Sequence, residues 1–317
     1  MAKKNFFIVK EEEIDQRLDK FLFKKIKNIT YPKVQKMIRK GYFKVNLEKK
    51  KPNYKIESKD KIYYGQSFEP EEKRVIDYRH IYKKEIEDIK KNIVFQDQNI
   101  LVFNKPHGIS VQGGSKIKFN IDAVLKYMSI ENDHLRLVHR IDKDTSGLLL
   151  IAKSKHIAKE ISKKFKDNAV NKIYLSLCHG IPKIKQGTIS HSLVKSKIKG
   201  REIMIIDKES KKKAITFYKL LESRNGLSLL KIIPKTGRTH QIRAHLKSCK
   251  IAILGDKKYA TEEATGLYKH SNSIKMHLHS FKLDFILENK KYYFKANLPK
   301  HFLETLKKNK FDTKDYD

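Results

Sequence analysis

Two acids, Asp142 and Asp144, stand in the stretch HRIDKDTSG (residues 139–147) of a chain that is otherwise heavily basic. Paired carboxylates can break a glycosidic bond, one donating a proton to the leaving group while the other attacks or activates water. Neighbours in one tight turn are poorly placed to flank a single bond, and Asp144 is spaced to accept the NH of Ser146 in an Asx-type turn. Geometry therefore gives Asp144 to the turn and leaves open whether Asp142 does chemistry, since an Asp in a turn most often makes local hydrogen bonds. In KIYLSLC (172–178), alternation puts Ile173, Leu175 and Leu177 on one face and Tyr174 on the other. In TGRTHQIRAHL (236–246), Arg238 sits at a strand-to-helix junction, while Gln241 and Arg243 fall off the Ile242/Leu246 face and are free to point to solvent or a cleft. MHLHS (276–280) would place His277 and His279 on one strand face, where they could bind a metal. No HExxH motif or cluster of acidic ligands accompanies them, so the expectation is a structural pair and no metal centre.

These residues need elements to hold them. LLLIA (148–152), directly after the acidic turn, is a continuous apolar run of strand length and reads as a buried strand. Ser154 then caps a helix carrying Ile157, Ile161 and Phe165 at four-residue spacing, and Thr239 is placed to cap the helix after Arg238. Upstream, IVFQDQNILVFNKP (93–106) predicts two short strands around a polar turn, closed by the Gly-rich loop PHGISVQGG, so that a second domain begins near Asn92. Residues 77–91 lack a convincing apolar stripe and read as a linker.

Before that linker, Ile14, Leu18, Phe21 and Leu22 recur at helical spacing, and Val34, Met37 and Ile38 repeat the pattern on a second helix. The second is bounded by Thr30 as N-cap, Pro32 in the first turn and Gly41 after the last turn. Lys33, Lys36, Arg39 and Lys40 form a basic stripe along it, and YFKVNLE (42–48) and YKIES (54–58) read as strands. A single charge run is most often a solvated helix face. Here it belongs to a chain with 71 Lys and Arg against 36 Asp and Glu, a formal charge of +35. Biased composition accounts for part of that excess; a nucleic-acid backbone accounts for the remainder better than a membrane, because no basic amphipathic helix with a broad apolar face is present. The two cysteines, Cys178 and Cys249, form no CxxC pair, and neither a signal peptide nor an apolar run of membrane-spanning length is seen. A cytoplasmic protein is expected.

RLVHRIDKDTSGLLLIAK (136–153) resembles the signature of the RluA-type pseudouridine synthases. NKPHGISVQGG (104–114), KIYLSL (172–177), KKAITFYKLLE (212–222), TGRTHQIRAHL and ILGDKKYA (253–260) resemble the family's other blocks, in order. RLDKFL (17–22) with YPKVQKMIRKGYFKVN (31–46) resembles the S4 RNA-binding domain. Within the family the S4 domain and the double glycine look most like the RluC subgroup, and departures are Ile141 for the more usual Leu and His107 where Ser is common.

The resemblance implies an α+β protein: an S4-type domain over 14–76, a linker over 77–91, and a catalytic domain over 92–317 on a mixed, mostly antiparallel β-sheet with flanking helices. It implies isomerisation of uridines in 23S ribosomal RNA to pseudouridine, without a cofactor, by a monomer whose partners are that RNA or ribosome assembly intermediates. Asp142 is then the catalytic acid, Arg238 the cation that holds it, and Tyr174 the ring against the flipped base. Arg140, His139, Gln241 and Arg243 are substrate contacts, and Lys33, Lys36, Arg39 and Lys40 the grip of the S4-like module. A nonenzymatic S4-domain assembly factor is the alternative from another class, as is a synthase of the same family acting on other ribosomal or transfer RNA uridines.

Overall fold

In the computed structural model, residues 5–26, 29–65, 83–113, 119–129, 135–198, 201–207, 209–210, 213–260 and 274–312 are described. The chain divides into two compact units, residues 1–77 and 78–317. The first contains β1 (Asn5–Ile8), α1 (Leu18–Lys25), α2 (Tyr31–Lys40), β2 (Phe43–Val45) and β3 (Lys61–Tyr64), with β3 central in a three-stranded antiparallel sheet. Its core is built from Leu18, Phe21 and Leu22 of α1, Val34 and Ile38 of α2, and Phe43, Val45 and Ile62 of the sheet. Gly41 ends α2 at φ 82°, the left-handed geometry that glycine adopts without penalty. Buried Asp19 ties the two helices together, accepting from Arg17 Nη2 at 2.7 Å and from Gln35 Nε2 at 2.8 Å. Lys33, Lys36, Arg39 and Lys40 lie on α2 away from the buried Val34 and Ile38.

Two details differ from the expectations of spacing. Ile14 is 39% exposed and precedes α1, so it is no part of the helical stripe. YKIES contributes only a bridge between Lys55 and Arg17, and the strand forms later, at β3. The unit also starts before residue 14, because β1 pairs with β3.

The second unit runs α3 (Lys83–Lys90), β4 (Ile93–Gln96), β5 (Ile100–Lys105), α4 (Ile121–Met128), β6 (Arg136–Leu137), β7 (Ser146–Ala152), α5 (Lys155–Lys166), β8 (Asn171–His179), β9 (Gln186–Ile198), β10 (Arg201–Ile206), β11 (Lys213–Arg224), β12 (Leu227–Pro234), α6 (Gln241–Ser248), β13 (Ala252–Ile253), β14 (Leu278–Leu287), β15 (Lys290–Lys295) and α7 (Lys300–Lys308). One large sheet orders them β10-β9-β11-β12-β8-β14-β7-β5-β4, with β13 beside β8, β15 beside β14 and β6 beside β7. The β7–β14 pair is parallel and the other pairs are antiparallel, so the sheet is mixed and mostly antiparallel, as expected.

Every residue of β7 is buried, which is why LLLIA reads as one apolar run: Leu148 and Leu150 pack toward Ile157 and Ile161 of α5, while Leu149 and Ile151 pack toward Val124 and Leu125 of α4. Ser154 caps α5 as expected, accepting from Ile157 N–H at 3.2 Å. The supposed linker is partly helix. Ile86 and Ile89, three apart on α3, are buried in the same cluster as Leu101 and Phe103 of β5, so α3 belongs to the second unit. Two apolar residues on one short helix are too few to stand out among so many charges. Residues 66–82, which hold the remainder of that stretch, and Gly114 of the double glycine lie outside the described residues.

Candidate active site

Asp142 lies in the loop that feeds β7. Thr145 N–H donates to Asp142 O at 3.2 Å and closes the turn. Lys105, 1% exposed at the end of β5, donates from Nζ to Lys143 O (3.0 Å), Pro106 O (2.9 Å) and Ile109 O (2.9 Å). Burial pushes the Lys105 ammonium down to about 7, against the opposing pull of Asp144 and Asp142. The buried lysine thus ties the NKP loop to the acidic turn through backbone oxygens.

The carboxylate of Asp142 meets Arg243, whose Nη1 donates to Oδ2 at 3.0 Å. The same guanidinium grips buried Asp256 from the other side, Nε to Oδ2 at 2.7 Å and Nη2 to Oδ1 at 2.8 Å, and lies 4.9 Å from the ring centre of Tyr259. Burial works against its charge, yet the hydrogen bonds and field of Asp256 and Asp142 together raise its pKa above the ordinary arginine value. This is a fork held bidentately by one acid and presenting its remaining nitrogen to another.

The cation on Asp142 is therefore Arg243, whereas the family resemblance points to Arg238 for that place. Both arginines lie in the same motif; Arg238 precedes α6 and lines the cavity, while Arg243 projects from the first turn of α6 toward the acid. Gln241 also differs. Its side chain is saturated by protein, donating to Ile215 O (2.9 Å) and Thr216 Oγ1 (3.0 Å) and accepting from Thr236 Oγ1 (2.7 Å) and Arg238 N–H (3.0 Å), so it staples the TGR loop to β11 and has nothing left for substrate. Thr239 is not the cap: His240 occupies that position, at φ 50° and without a side-chain cap.

His139 likewise turns inward. Its Nε2 accepts from Leu150 N–H at 2.9 Å, its ring stacks on Phe165 at 4.4 Å, and burial, aided by nearby Lys172, pushes its pKa down to about 3. It anchors β7 as a neutral ring. Arg140, next to it, is exposed. Asp144 is half-exposed with Oδ1 3.8 Å from His107 Nε2, and no hydrogen bond to Ser146 N–H is found among the described residues. His277 and His279 do not act together: Nε2 of His277 meets Thr305 Oγ1 at 2.9 Å, and Nδ1 of His279 meets Ser146 Oγ at 2.9 Å.

Two cavities meet at Asp142. One, about 340 Å³, is lined by Tyr174, Phe165, Arg238 and Leu278, which gives it a flat aromatic wall and a cationic rim. The other, about 710 Å³, is flanked by Lys143, Lys257, Lys258 and Lys275. Arg140, Ile141, Asp142, His240 and Arg243 line both. Tyr174 faces the first cavity as alternation on β8 predicts; burial pushes its phenol up to about 12, a hydrogen bond from Ser280 opposes this, and the charge on Asp142 adds to it. The phenol keeps its proton at neutral pH. An acid held on one oxygen, beside a ring-sized cleft that opens into a lysine-lined trough, suits a reaction on one base of a polyanionic strand.

Comparison with known proteins gives the family. Residues 99–248 match the model of the RNA pseudouridylate synthase family and residues 16–62 match the S4 domain. A ribosomal large subunit pseudouridine synthase C of Rickettsia bellii is 35% identical over 91% of this chain and 96% of its own length. The chain belongs to the RNA pseudouridylate synthase family. A second such relative, from Buchnera aphidicola, is 34% identical to this synthase over 94% of the chain and 96% of its own length. Among solved structures, human RNA pseudouridylate synthase domain containing 1 is 27% identical with a TM-score of 0.56, over 66% of this chain and 83% of that one. Human RNA pseudouridylate synthase domain containing 4 shares the fold at a TM-score of 0.64 and 24% identity, covering 74% of the synthase and 99% of its own chain.

Motif spacing does not single out Lys105, Asp256 or Tyr259. Lys105 lies in the NKP block and the other two in ILGDKKYA, and their company there is the available signal. A buried lysine and an acid that serves only another side chain have no local spacing signature.

Proposed function

We propose that this synthase converts uridines of 23S ribosomal RNA to pseudouridine in the cytoplasm as a monomer, with Asp142 as the catalytic carboxylate. The observation that carries the assignment of the acid is its setting: Arg243 holds Oδ2 at 3.0 Å at the junction of an aromatic cleft and a lysine-lined trough. The relatives' names supply the ribosomal large subunit, and the net charge of +35 suits a ribosomal polyanion.

The uridine leaves its stack and enters the smaller cavity, where the Tyr174 ring provides a face for the base; unstacking costs a few kcal/mol and is offset by contacts to the backbone. Arg140, on the rim of both cavities, stands where it can fill the gap left by the base, and Arg238 is placed to meet a phosphate. The bond from C1′ to N1 breaks, the uracil turns, and C1′ joins C5, whose proton is lost in restoring the ring while N1 gains one; Asp142 acts as an anion, either by attack or by removing the C2′ proton. No atom is gained or lost overall and no cofactor enters. In the S4-like unit, Lys33, Lys36, Arg39 and Lys40 contact structured RNA through its phosphates.

The test is release of tritium from ribosomal RNA labelled at uridine C5. Asp142→Asn should lower turnover by at least about 10³-fold, as loss of a central catalytic group does, with RNA affinity little changed. Release at the wild-type rate from this variant sinks the assignment, and no release by the wild type from any ribosomal RNA fragment favours a nonenzymatic assembly factor. Mapping pseudouridines with and without the gene identifies the target set.

A further inference from the structure

His240 occupies a conformation that a side chain rarely adopts. Its φ of 50° lies in the left-handed region, at the junction where the TGR loop becomes α6. The backbone there is held on both sides, since Gln241 N–H donates to Arg238 O at 3.2 Å and Ala244 N–H donates to His240 O at 2.9 Å. This geometry carries the imidazole between two groups. Nδ1 lies 2.9 Å from the Tyr259 hydroxyl, and Nε2 lies 3.8 Å from Asp142 Oδ2.

The hydroxyl determines which nitrogen carries the proton. Tyr259 already accepts from Met204 N–H at 2.8 Å, so its own proton remains to be donated, and His240 Nδ1 is the acceptor paired with it among the described residues. A neutral imidazole that accepts at Nδ1 bears its hydrogen on Nε2, the nitrogen turned to Asp142. The charged and titratable groups facing it are Asp142, Asp256, Arg243, Lys258 and Tyr259. Burial, with Arg243 and Lys258, keeps its pKa below the ordinary histidine value against the pull of Asp142 and Asp256.

We infer that His240 is a positioning residue for the isomerisation: with its tautomer set by Tyr259, its Nε2–H joins Arg243 in holding Oδ2 of Asp142, so that Oδ1 is the oxygen presented to the nucleotide. Both contacts of the carboxylate fall on Oδ2, and among the described residues Oδ1 has no protein partner. At 3.8 Å the imidazole stands just beyond hydrogen-bond range; a nucleotide in the cavity excludes water and closes the distance, as hydrogen bonds at active sites tighten on substrate binding. The role rests on Asp142 being the reacting acid.

The experiment combines single-turnover tritium release, RNA affinity and ¹⁵N NMR of histidine-labelled enzyme. The wild-type His240 resonances should show the Nε2–H tautomer, and Tyr259→Phe should shift it toward Nδ1–H. His240→Ala should slow turnover by roughly 10- to 100-fold, the effect of losing one hydrogen bond to a charged group, with RNA affinity unchanged. His240→Gln, whose amide keeps a donor near Nε2, should recover most of that rate. Tyr259→Phe should cost about tenfold in the wild type but no more than about twofold beside His240→Gln, since an amide has no tautomer to set. An Nδ1–H tautomer in the wild type overturns the inference, as does full additivity of Tyr259→Phe with His240→Gln. If Asp142→Asn is inactive while His240→Ala turns over normally, the role of His240 alone falls. If Asp142→Asn is active, the reading of the acid falls and this one with it. Should His240→Ala not fold, the tautomer and the two variants Tyr259→Phe and His240→Gln still decide.

Discussion

At the scale of single residues, what Arg243 does separates it from Arg238. Replacing Arg243 by Ala removes a buried cation from between two acids, leaving Asp256 buried with only backbone N–H donors and Asp142 without its clamp. Breaking such a pair costs about 3–5 kcal/mol, so Arg243→Ala should lower stability by that order in urea and abolish tritium release. Arg238→Ala should instead weaken RNA binding with stability within about 0.5 kcal/mol of the wild type, as expected at an exposed position. Equal loss of stability in both would contradict the division of labour. At this scale the facing of Tyr174 toward the cavity is legible from strand alternation, while the roles proposed for Asp142 and Tyr174 come from the resemblance. The clamp is not legible, because motif spacing cannot tell which of two arginines a helix turns toward the acid. Gln241 and His139 show the same limit: a polar residue inside a motif binds substrate or braces the backbone, and only the partners in space decide.

At the scale of elements, Gly147 determines how closely two strands pack. It pairs with Ser280 across the parallel β7–β14 contact, has φ 104°, and a Cβ placed there would collide with Ser280 O. Gly147→Ala should therefore destabilise the second unit by about 2–4 kcal/mol, combining backbone strain with displacement of a buried strand, measured by chemical denaturation. A stability unchanged by the substitution would show that β14 can move away freely. Gln241→Ala removes one hydrogen bond each from Thr236, Ile215 O, Thr216 and Arg238 N–H and should cost about 1–3 kcal/mol, with turnover falling through disorder of the TGR loop. The strands around the acid are legible because apolar periodicity is strong there. α3 is not, because its buried apolar pair, Ile86 and Ile89, is hidden in a charged run, and YKIES is overread because alternation alone does not supply a pairing partner.

For the whole molecule, charge and buried histidines govern the response to conditions. Replacing Lys33, Lys36, Arg39 and Lys40 by Gln should flatten the salt dependence of RNA affinity by about 0.7–0.9 log unit for each phosphate no longer neutralised, read from titrations at several salt concentrations; an unchanged slope would remove α2 from the RNA-binding surface. Acid acts through His139, His277 and His279 among others, which burial lowers to about 3, about 4 and about 3. Between their unfolded value near 6.5 and these folded values the unfolded chain binds more protons, so stability is complete above about pH 6.5 and falls as pH drops, by up to about 1.4 kcal/mol per pH unit for each histidine. Midpoints of urea unfolding at pH 7.5, 6 and 5 should decline in that order. Among the described residues no helix is long and apolar enough to cross a membrane.

The placement of β14 has a consequence for biosynthesis. Ser280 pairs with Gly147 on one side and with Tyr174 on the other, so the strand that brings the acid's strand and the tyrosine's strand into one sheet follows the stretch that matches the family model. A nascent chain that has emerged only through Arg243 holds Asp142, Tyr174 and Arg243 yet leaves β7 and β8 without the strand between them, and such open edges favour aggregation. The proposed active site is therefore expected to assemble only once β14 has been translated, and a premature stop after Tyr259 should yield a product that holds Asp142, Tyr174 and Arg243 without the strand that joins β7 to β8.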